Sequence, residues 1–508
     1  MQYQKFLPPS FVPRRISVHS LYEEMAKPAS RFRKPLTLSE KVVLGWHRFT
    51  SKHLVTHDSI VPLLADVPLQ WRIIFNYLYK EGVIETPVVG SASFRNDKPK
   101  KMSVNLRPHF DGKYTDAHEG SYYGFGSGTS LEVSLSKAVG ELLERHAGAQ
   151  FKKNKLLKAS SKQLHESGRL FLHPKKVSQF AVWQKEQFTE FAFTEDTPFR
   201  WVRTRELISK RLVLIPAQLG YWYFLNSSFN EKEPLLLPQT TNGGAGHFTY
   251  EEAVLAAVHE CIQRDNFLIY WMNTLSPKVI DTAGIDDDSF KEMMKYLKRF
   301  DGRAVFLDIT TDTKVPTSAC VLICNEGGHP TISMGAGNGS SALESLLSGL
   351  YEAISTQSVA KEVRDATLFD VSAHEPYTRT NIGRAERIAL WHGKEMLQKL
   401  QFFISGEIET FASFAKLFTP YESAKEELAE LLSHLKNMGE GYEVYVHEMK
   451  SKVLRTLGYH VVKVVIPNLV SLHLSEHEAG LGALRLQSTP AKLGYTVSKR
   501  NPLPHPFP

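Results

Sequence analysis

Residues 124–145 read GFGSGTSLEVSLSKAVGELLER, and this stretch sets the terms for the rest of the chain. A glycine-containing loop enters an amphipathic helix on which Glu141 and Glu144, three residues apart, project from one face with Arg145 beside them. The same plan recurs twice. Residues 240–265, TTNGGAGHFTYEEAVLAAVHECIQRD, place Glu260 four residues before Arg264, and residues 333–357, SMGAGNGSSALESLLSGLYEAISTQ, carry Glu352. Carboxylates that converge in one cleft suit Mg²⁺, which takes oxygen ligands and bridges to phosphates, while an arginine fork suits a phosphate directly. Such pairs also arise on any solvated helix, where each is worth under about 1 kcal/mol, so spacing alone leaves both readings open. No G-x-x-x-x-G-K-[ST] element is present, which excludes a P-loop, and GAGNG at 335–339 is too weak a pattern for a dinucleotide site.

Outward from these helices the texture is that of an α+β domain over residues 91–508. RAVFLDITTD, SACVLICN, GYEVYVHEM and HVVKVVIPNLVSLHL read as strands by their β-branched and apolar enrichment, and YESAKEELAELLSHLKNM reads as a further amphipathic helix. No tandem repeat or low-complexity segment interrupts the pattern. Residues 1–90 differ. A Pro- and Arg-containing lead is followed by LTLSEKVVLGWHRF and PLQWRIIFNYLYKEGVIE, with Leu69, Ile73, Ile74, Tyr77 and Leu78 on one helical side. Gly82 is expected to end that helix, with Val83 and Ile84 starting a strand. This segment reads as a small helical or winged-helix-like module, either a docking element for a partner or leader peptide or an accessory packing element.

Composition narrows the function. With 42% hydrophobic and 23% charged residues in 508, disorder is excluded for most of the chain. No apolar run approaches the ~18–20 residues that cross a bilayer, and the opening MQYQKFLPPSFVPRR lacks a signal-peptide core, so a cytoplasmic protein is expected. Cys261, Cys320 and Cys324 are too few for a disulfide framework or a cysteine zinc site, and the last two sit in an apolar strand. The net charge of +7 is spread along the chain without the aromatic and basic signature of an RNA-binding module, so no nucleic-acid partner is expected.

The order of motifs resembles the YcaO family over residues 91–508. It runs Gly126 to Gly128, Ala138 to Arg145, Asn242 to Gly246, Glu251 to Asp265, Leu307 to Asp312 and Gly335 to Gly337. The terminal NPLPHPFP, with Pro502, Pro504, Pro506 and Pro508, resembles the P-x-P-x-P end of the azoline-forming branch rather than the thioamide- or amidine-forming ones. The resemblance implies ATP bound without a P-loop. It assigns Ser136, Lys137, Glu141, Arg264 and Gln357 to the nucleotide, and Glu144, Glu260 and Glu352 to Mg²⁺. It further implies a ribosomally made precursor peptide as substrate. A Cys, Ser or Thr side chain of that peptide attacks the preceding amide carbonyl, the oxygen takes the γ-phosphoryl group of ATP, and phosphate leaves to give the ring. The α-carboxylate of Pro508 would be the catalytic base or a positioning group, held by a backbone that alternating prolines keep extended.

Three positions depart from the family pattern: Lys137 in place of a serine, Gln263 before Arg264 where an acid is usual, and Ser355 with Gln357 two residues on. They leave a scaffold or peptide-binding subunit with an altered ATP site as the alternative. The family resemblance also implies a separate ubiquitin-activating-like leader-binding partner, since no such domain is visible in the chain, together with a flavin-dependent azoline oxidase and an oligomer or multi-subunit assembly.

Overall fold

Each of the three glycine-rich segments contributes a strand where a loop is expected, with Asn242–Gly243 forming a turn ahead of one strand and Asn338–Gly339 lying past the end of another, and each leads into a long helix. In the computed structural model the described residues are 59–60, 71, 74, 77–78, 81–83, 90–92, 102–106, 124–128 and 131–507 apart from 152–154, 223, 226–232, 299–300, 327–328, 365–374, 380–381, 383–386, 389 and 498. Strands β1 (Ser59–Ile60), β2 (Gly90–Ala92), β3 (Met102–Leu106) and β4 (Gly124–Gly128) form one antiparallel sheet, and β4 feeds helix α1 (Leu131–Gly148). Strands β5 (Leu157–Ser160), β6 (Pro198–Glu206) and β7 (Leu212–Pro216) follow; then β8 (Gly244–His247) feeds α2 (Tyr250–Met272). Next come β9 (Lys278–Asp281), α3 (Asp288–Lys298), β10 (Gly302–Asp308), β11 (Ser318–Glu326) and β12 (His329–Gly337), which feeds α4 (Ala342–Arg364). The chain continues through β13 (Ile408–Thr410), α5 (Ala424–Met438), β14 (Tyr445–Met449), β15 (His460–Val465) and α6 (Leu484–Lys492).

Glycine makes the strand-to-helix packing possible. A Cβ on Gly335 would stand 2.2 Å from the Gly349 carbonyl oxygen, and one on Gly337 would stand 2.1 Å from that of Ser345. Helix α4 therefore lies backbone against backbone on β12. Two further sheets complete the fold, in the orders β12-β11-β10-β9-β13 and β5-β6-β14-β15-β8, with β7 added to β6. The expected strands are present. The long apolar run from His460 ends its strand at Val465, ahead of Pro467, which has no N–H to give a ladder. Cys261, Cys320 and Cys324 are buried free thiols.

Helix α2 joins the layers. Its first half, through Val254, Val258 and Ile262, packs with α5, β14 and β15. Its second half, through Phe267, Trp271 and Met272, packs with the β10–β12 sheet and the C-terminal tail. At the junction Asp265 is fully buried. It accepts from Arg485 Nε at 3.0 Å and NH2 at 2.7 Å and from the Val470 N–H at 2.8 Å. Arg485 also reaches Asp312 at 2.8 Å, and Asn266 binds the hydroxyls of Thr311, Thr313 and Thr317. The Arg-Asp and Leu307–Asp312 motifs thus end in a buried polar clasp.

Of residues 1–90, Trp71, Ile74, Tyr77 and Leu78 are helical, and Trp71, Ile74, Leu78 and Val83 share a core with Leu135, Ala138 and Leu142 of α1. Gly82 takes φ 69°, and the Val83 N–H closes the helix end on the Leu78 carbonyl at 2.8 Å. Val83 therefore belongs to a left-handed cap instead of opening a strand. Leu69, Ile73, Ile84 and most of the remaining N-terminal segment lie outside the described residues.

The clasp yields a stability prediction. Asp265→Ala leaves the Arg485 guanidinium without its main buried counter-charge and is expected to cost about 3–5 kcal/mol in urea unfolding. The double substitution Asp265→Leu/Arg485→Met, which removes the pair together, should cost less than the single one. A larger loss in the double variant would contradict this reading of the clasp.

Candidate functional site

Three glutamates from α1, α2 and α4 each accept one hydrogen bond from a backbone N–H in or beside a glycine-rich strand. Gly246 donates to Glu144 Oε1 at 2.8 Å, Gly243 to Glu260 Oε2 at 2.7 Å, and Ala336 to Glu352 Oε2 at 2.8 Å. A Cβ on Gly246 would meet the Tyr459 ring at 2.5 Å and Glu144 Cγ at 3.0 Å, so only glycine lets β8 come close enough. The second oxygen of Glu260 pairs with Arg264 at 2.6 Å, and Arg264 reaches Asn242 Oδ1 at 3.5 Å. Glu141 pairs with Arg145 at 2.5 Å.

The acids are close enough to disturb one another. Burial pushes the Glu144 carboxyl well above its ordinary value, Glu141 and Glu260 push it further, and the Gly246 N–H and Arg145 oppose them. Glu352 rises to about 7, again mainly through burial, with Glu260 adding to the effect and the Ala336 N–H and Arg264 opposing it. By surface area Glu352 and Lys137 are both open to solvent, so the burial that raises Glu352 comes from dense surrounding protein and not from loss of access to water. Glu260 stands between the other two acids in this field. A cation among them would relieve the repulsion. Among the described residues no group of three or more His, Cys, Asp or Glu side chains is arranged to hold a metal ion by itself, so a cation here would need ligands from phosphate and water as well. The arrangement suits Mg²⁺, which uses one or two carboxylates and completes its shell with phosphate and water.

The structure brings Glu144, Glu260, Arg264 and Glu352 together, with Glu141 and Lys137 along the same stripe of α1. Ser136 is half-buried on that helix. Gln357 is buried on α4 with no hydrogen-bond partner among the described residues, and five residues of helix turn it roughly 140° from Glu352. Pro508 lies outside the described residues. Gln263, one of the departures, donates its amide to the Ala336 carbonyl at 3.3 Å and so braces the residue that binds Glu352.

Sequence reasoning missed Lys463 and Tyr459. Lys463 is 7% exposed, donates to the Thr240 carbonyl at 3.0 Å and lies 5.4 Å from the Trp222 ring centre. Burial lowers its ammonium to about 8, against the pull of Glu260. It borders a small cavity with Thr240, Asn242, Cys261 and Ser471. The available signal was a lysine in the middle of the apolar strand HVVKVV. Tyr459 has its hydroxyl raised by burial and by Glu144, and nothing in its sequence neighbourhood marked it.

Solved structures share this architecture. One described as a heterocyclase in complex with substrate and cofactor superposes with TM-score 0.66 at 20% identity, over 85% of this chain and 57% of its own. This chain thus spans little more than half the length of that relative. YcaO from Methanopyrus kandleri bound with AMPPCP and Mg²⁺ matches with TM-score 0.55 at 18% identity, over 79% of this chain and 90% of its own. The Escherichia coli microcin synthetase McbBCD complex with pro-MccB17 bound matches with TM-score 0.52 at 14% identity, over 83% and 96%. These likenesses establish the fold. No curated protein sequence matches the chain. Among the described residues no helix is long and apolar enough to cross a membrane. The family model for YcaO cyclodehydratase, ATP- and Mg²⁺-binding, matches residues 125–470, a span that contains all three glutamates and the strands that hold them, and the chain therefore belongs to the YcaO family.

Proposed function

We propose that this chain is an ATP-dependent cyclodehydratase that forms azoline rings at Cys, Ser or Thr residues of a precursor peptide. The observation that carries this reading is the double task of α2. Glu260 and Arg264 on this helix face the acidic cleft. Seven residues after Glu260, about 10 Å along the axis, Phe267 holds the Phe507 ring at 4.5 Å between centres. Trp271 Nε1 donates to the Leu503 carbonyl at 3.2 Å, and the Asn501 N–H to that of Met272 at 3.0 Å. One rigid element thus sets the Pro-rich tail at a fixed distance from the cleft. A flexible end with no task has no need of such anchorage.

In this reading Glu144, Glu260 and Glu352 hold Mg²⁺, and the metal offsets charge on the phosphates. Arg264 faces the transferring phosphoryl group, where most catalysis of such transfers resides. Lys137, Glu141, Ser136 and Gln357 contact the rest of the nucleotide, and Lys137 adds positive charge at the rim. The terminal carboxylate of Pro508 takes the proton from the attacking side chain or positions it. The chain works in a multi-subunit complex in the cytoplasm, with a leader-binding partner that residues 1–90 help to dock and an oxidase that acts on its product. The pro-MccB17-bound synthetase complex of the same fold supports that assembly.

Two outcomes follow. Glu144→Gln keeps an acceptor for the Gly246 N–H and removes the charge. Because the Glu144 carboxyl is raised above 4.5, its contribution to the stability of the ligand-free protein is lost as pH rises through the raised value. At pH 8 the variant should therefore melt roughly 1–3 °C higher than wild type. Its affinity for ATP with Mg²⁺ should fall at least ~10-fold by calorimetry, as should that of Glu260→Gln. Unchanged affinity in both would remove these residues from the nucleotide site.

The second outcome concerns the tail. One Gly appended after Pro508 moves the terminal charge by up to about 3.5 Å, and a misplacement of about 1 Å already costs ~100-fold in a positioned reaction. Ring formation, followed by mass spectrometry as loss of one water per ring in the reconstituted complex, should collapse while ATP affinity holds. Wild-type turnover in the extended protein would exclude a role for the carboxylate.

A further inference from the structure

Arg387 is a fully buried guanidinium outside the nucleotide cleft. Its NH2 donates to Glu476 Oε1 at 2.6 Å and to the Leu474 carbonyl at 2.8 Å, and its NH1 donates to the His505 carbonyl at 3.3 Å. Glu476 is itself 2% exposed, so both charges of the pair are withdrawn from water. A buried pair of this kind is costly unless further hydrogen bonds complete it, and here one of the completing groups belongs to the tail. His505 is held from its other side as well. Its Nε2 meets the His473 carbonyl at 2.7 Å, and the two imidazoles stand edge to face at 4.9 Å. Burial keeps both rings neutral, lowering His473 to about 4 and His505 well below its ordinary value, which lets them lie beside the guanidinium.

We propose that Arg387 is a positioning residue that seats the C-terminal tail. The contacts from α2 secure Asn501 and Leu503, at the start of the tail. Arg387 secures residue 505, three positions from the end, and ties it to the 474–476 segment. An arginine is needed because its planar fork serves three acceptors at once, and a lysine ammonium on a flexible stem does not reproduce that geometry. The consequence for turnover rests on the reading of the tail as part of the ring-forming site. The seating does not.

Limited trypsin digestion of the full-length protein tests it, since cleavage after Arg500 releases residues 501–508 and is read by intact mass. The variant is Arg387→Met/Glu476→Leu, which removes both buried charges and leaves neither alone. A hydrogen bond from a charged donor is worth enough that the tail should be released about 10-fold faster or more, with ATP affinity unchanged. Arg387→Lys, which keeps the charge pair, should give a smaller acceleration, and it decides the matter if the double variant does not fold. Wild-type cleavage rates in the folded variants would overturn the proposal. If the tail is released and ring formation still runs at the wild-type rate, the seating stands and the catalytic reading of the tail falls. If both change together, with kcat reduced and KM for ATP held, both stand.

Discussion

Three carboxylates held in place by backbone N–H groups, two of them, Glu144 and Glu352, with their proton affinity raised by burial and further by the charge of Glu260, are the constraint on which this structure turns. Backbone donors do not rotate away as side chains do, so Gly243, Gly246 and Ala336 fix one oxygen each of Glu260, Glu144 and Glu352 and leave the other to a ligand or to Arg264. The glycine content of the strands follows from this. A strand must pack closely for its N–H to reach a glutamate on a neighbouring helix, and a Cβ at 335 or 337 would strike the backbone of α4, while one at 246 would strike the Tyr459 ring and the Glu144 side chain.

The same demand explains the burial of α2. A helix that carries Glu260 into the cleft and Phe267 to the tail is buried along most of its length. The Asp265–Arg485 clasp falls between these two ends, where α2 passes from one packing layer to the other. If these residues hold a cation as proposed, the raised proton affinity of Glu144 and Glu352 is a cost of assembling the site without it, and binding of Mg²⁺ would offset that cost.

Much of this was legible in the chain itself. Glu141 and Glu144 at i and i+3, and Glu260 and Arg264 at i and i+4, announce shared helix faces, and the four long amphipathic helices and the apolar strands lie where their periodicity puts them. What was not legible depends on contacts distant in sequence. GFGSG and GAGH look like loops because glycine is rare in strands, and only the close approach of Ala138 and Leu142 to Gly124, of Trp222 to Gly244 and of Tyr459 to Gly246 makes glycine the requirement. Asp265 and Asp312 close two of the sequence motifs, and the sequence does not show that both serve Arg485, more than 170 residues further on. Lys463 stood in plain view as a charge within an apolar strand, but its partner is the carbonyl of Thr240, a group that has no signature in sequence. The Pro-rich tail was read from its resemblance alone, and its seating by Arg387, His473 and Trp271 came only with the fold.

The central claim is that the three glutamates form a Mg²⁺-nucleotide site. The measurement that tests it most directly is an experimental structure of the full-length protein with a non-hydrolysable ATP analogue and Mn²⁺ in place of Mg²⁺, with the metal located by its anomalous scattering. The account predicts metal ions between the triphosphate and the carboxylates of Glu144, Glu260 and Glu352, at about 2.1 Å from at least one carboxylate oxygen. It also predicts the Arg264 guanidinium against a phosphate. A nucleotide bound elsewhere, or a triphosphate in this cleft with its metal held by none of the three acids, would contradict it.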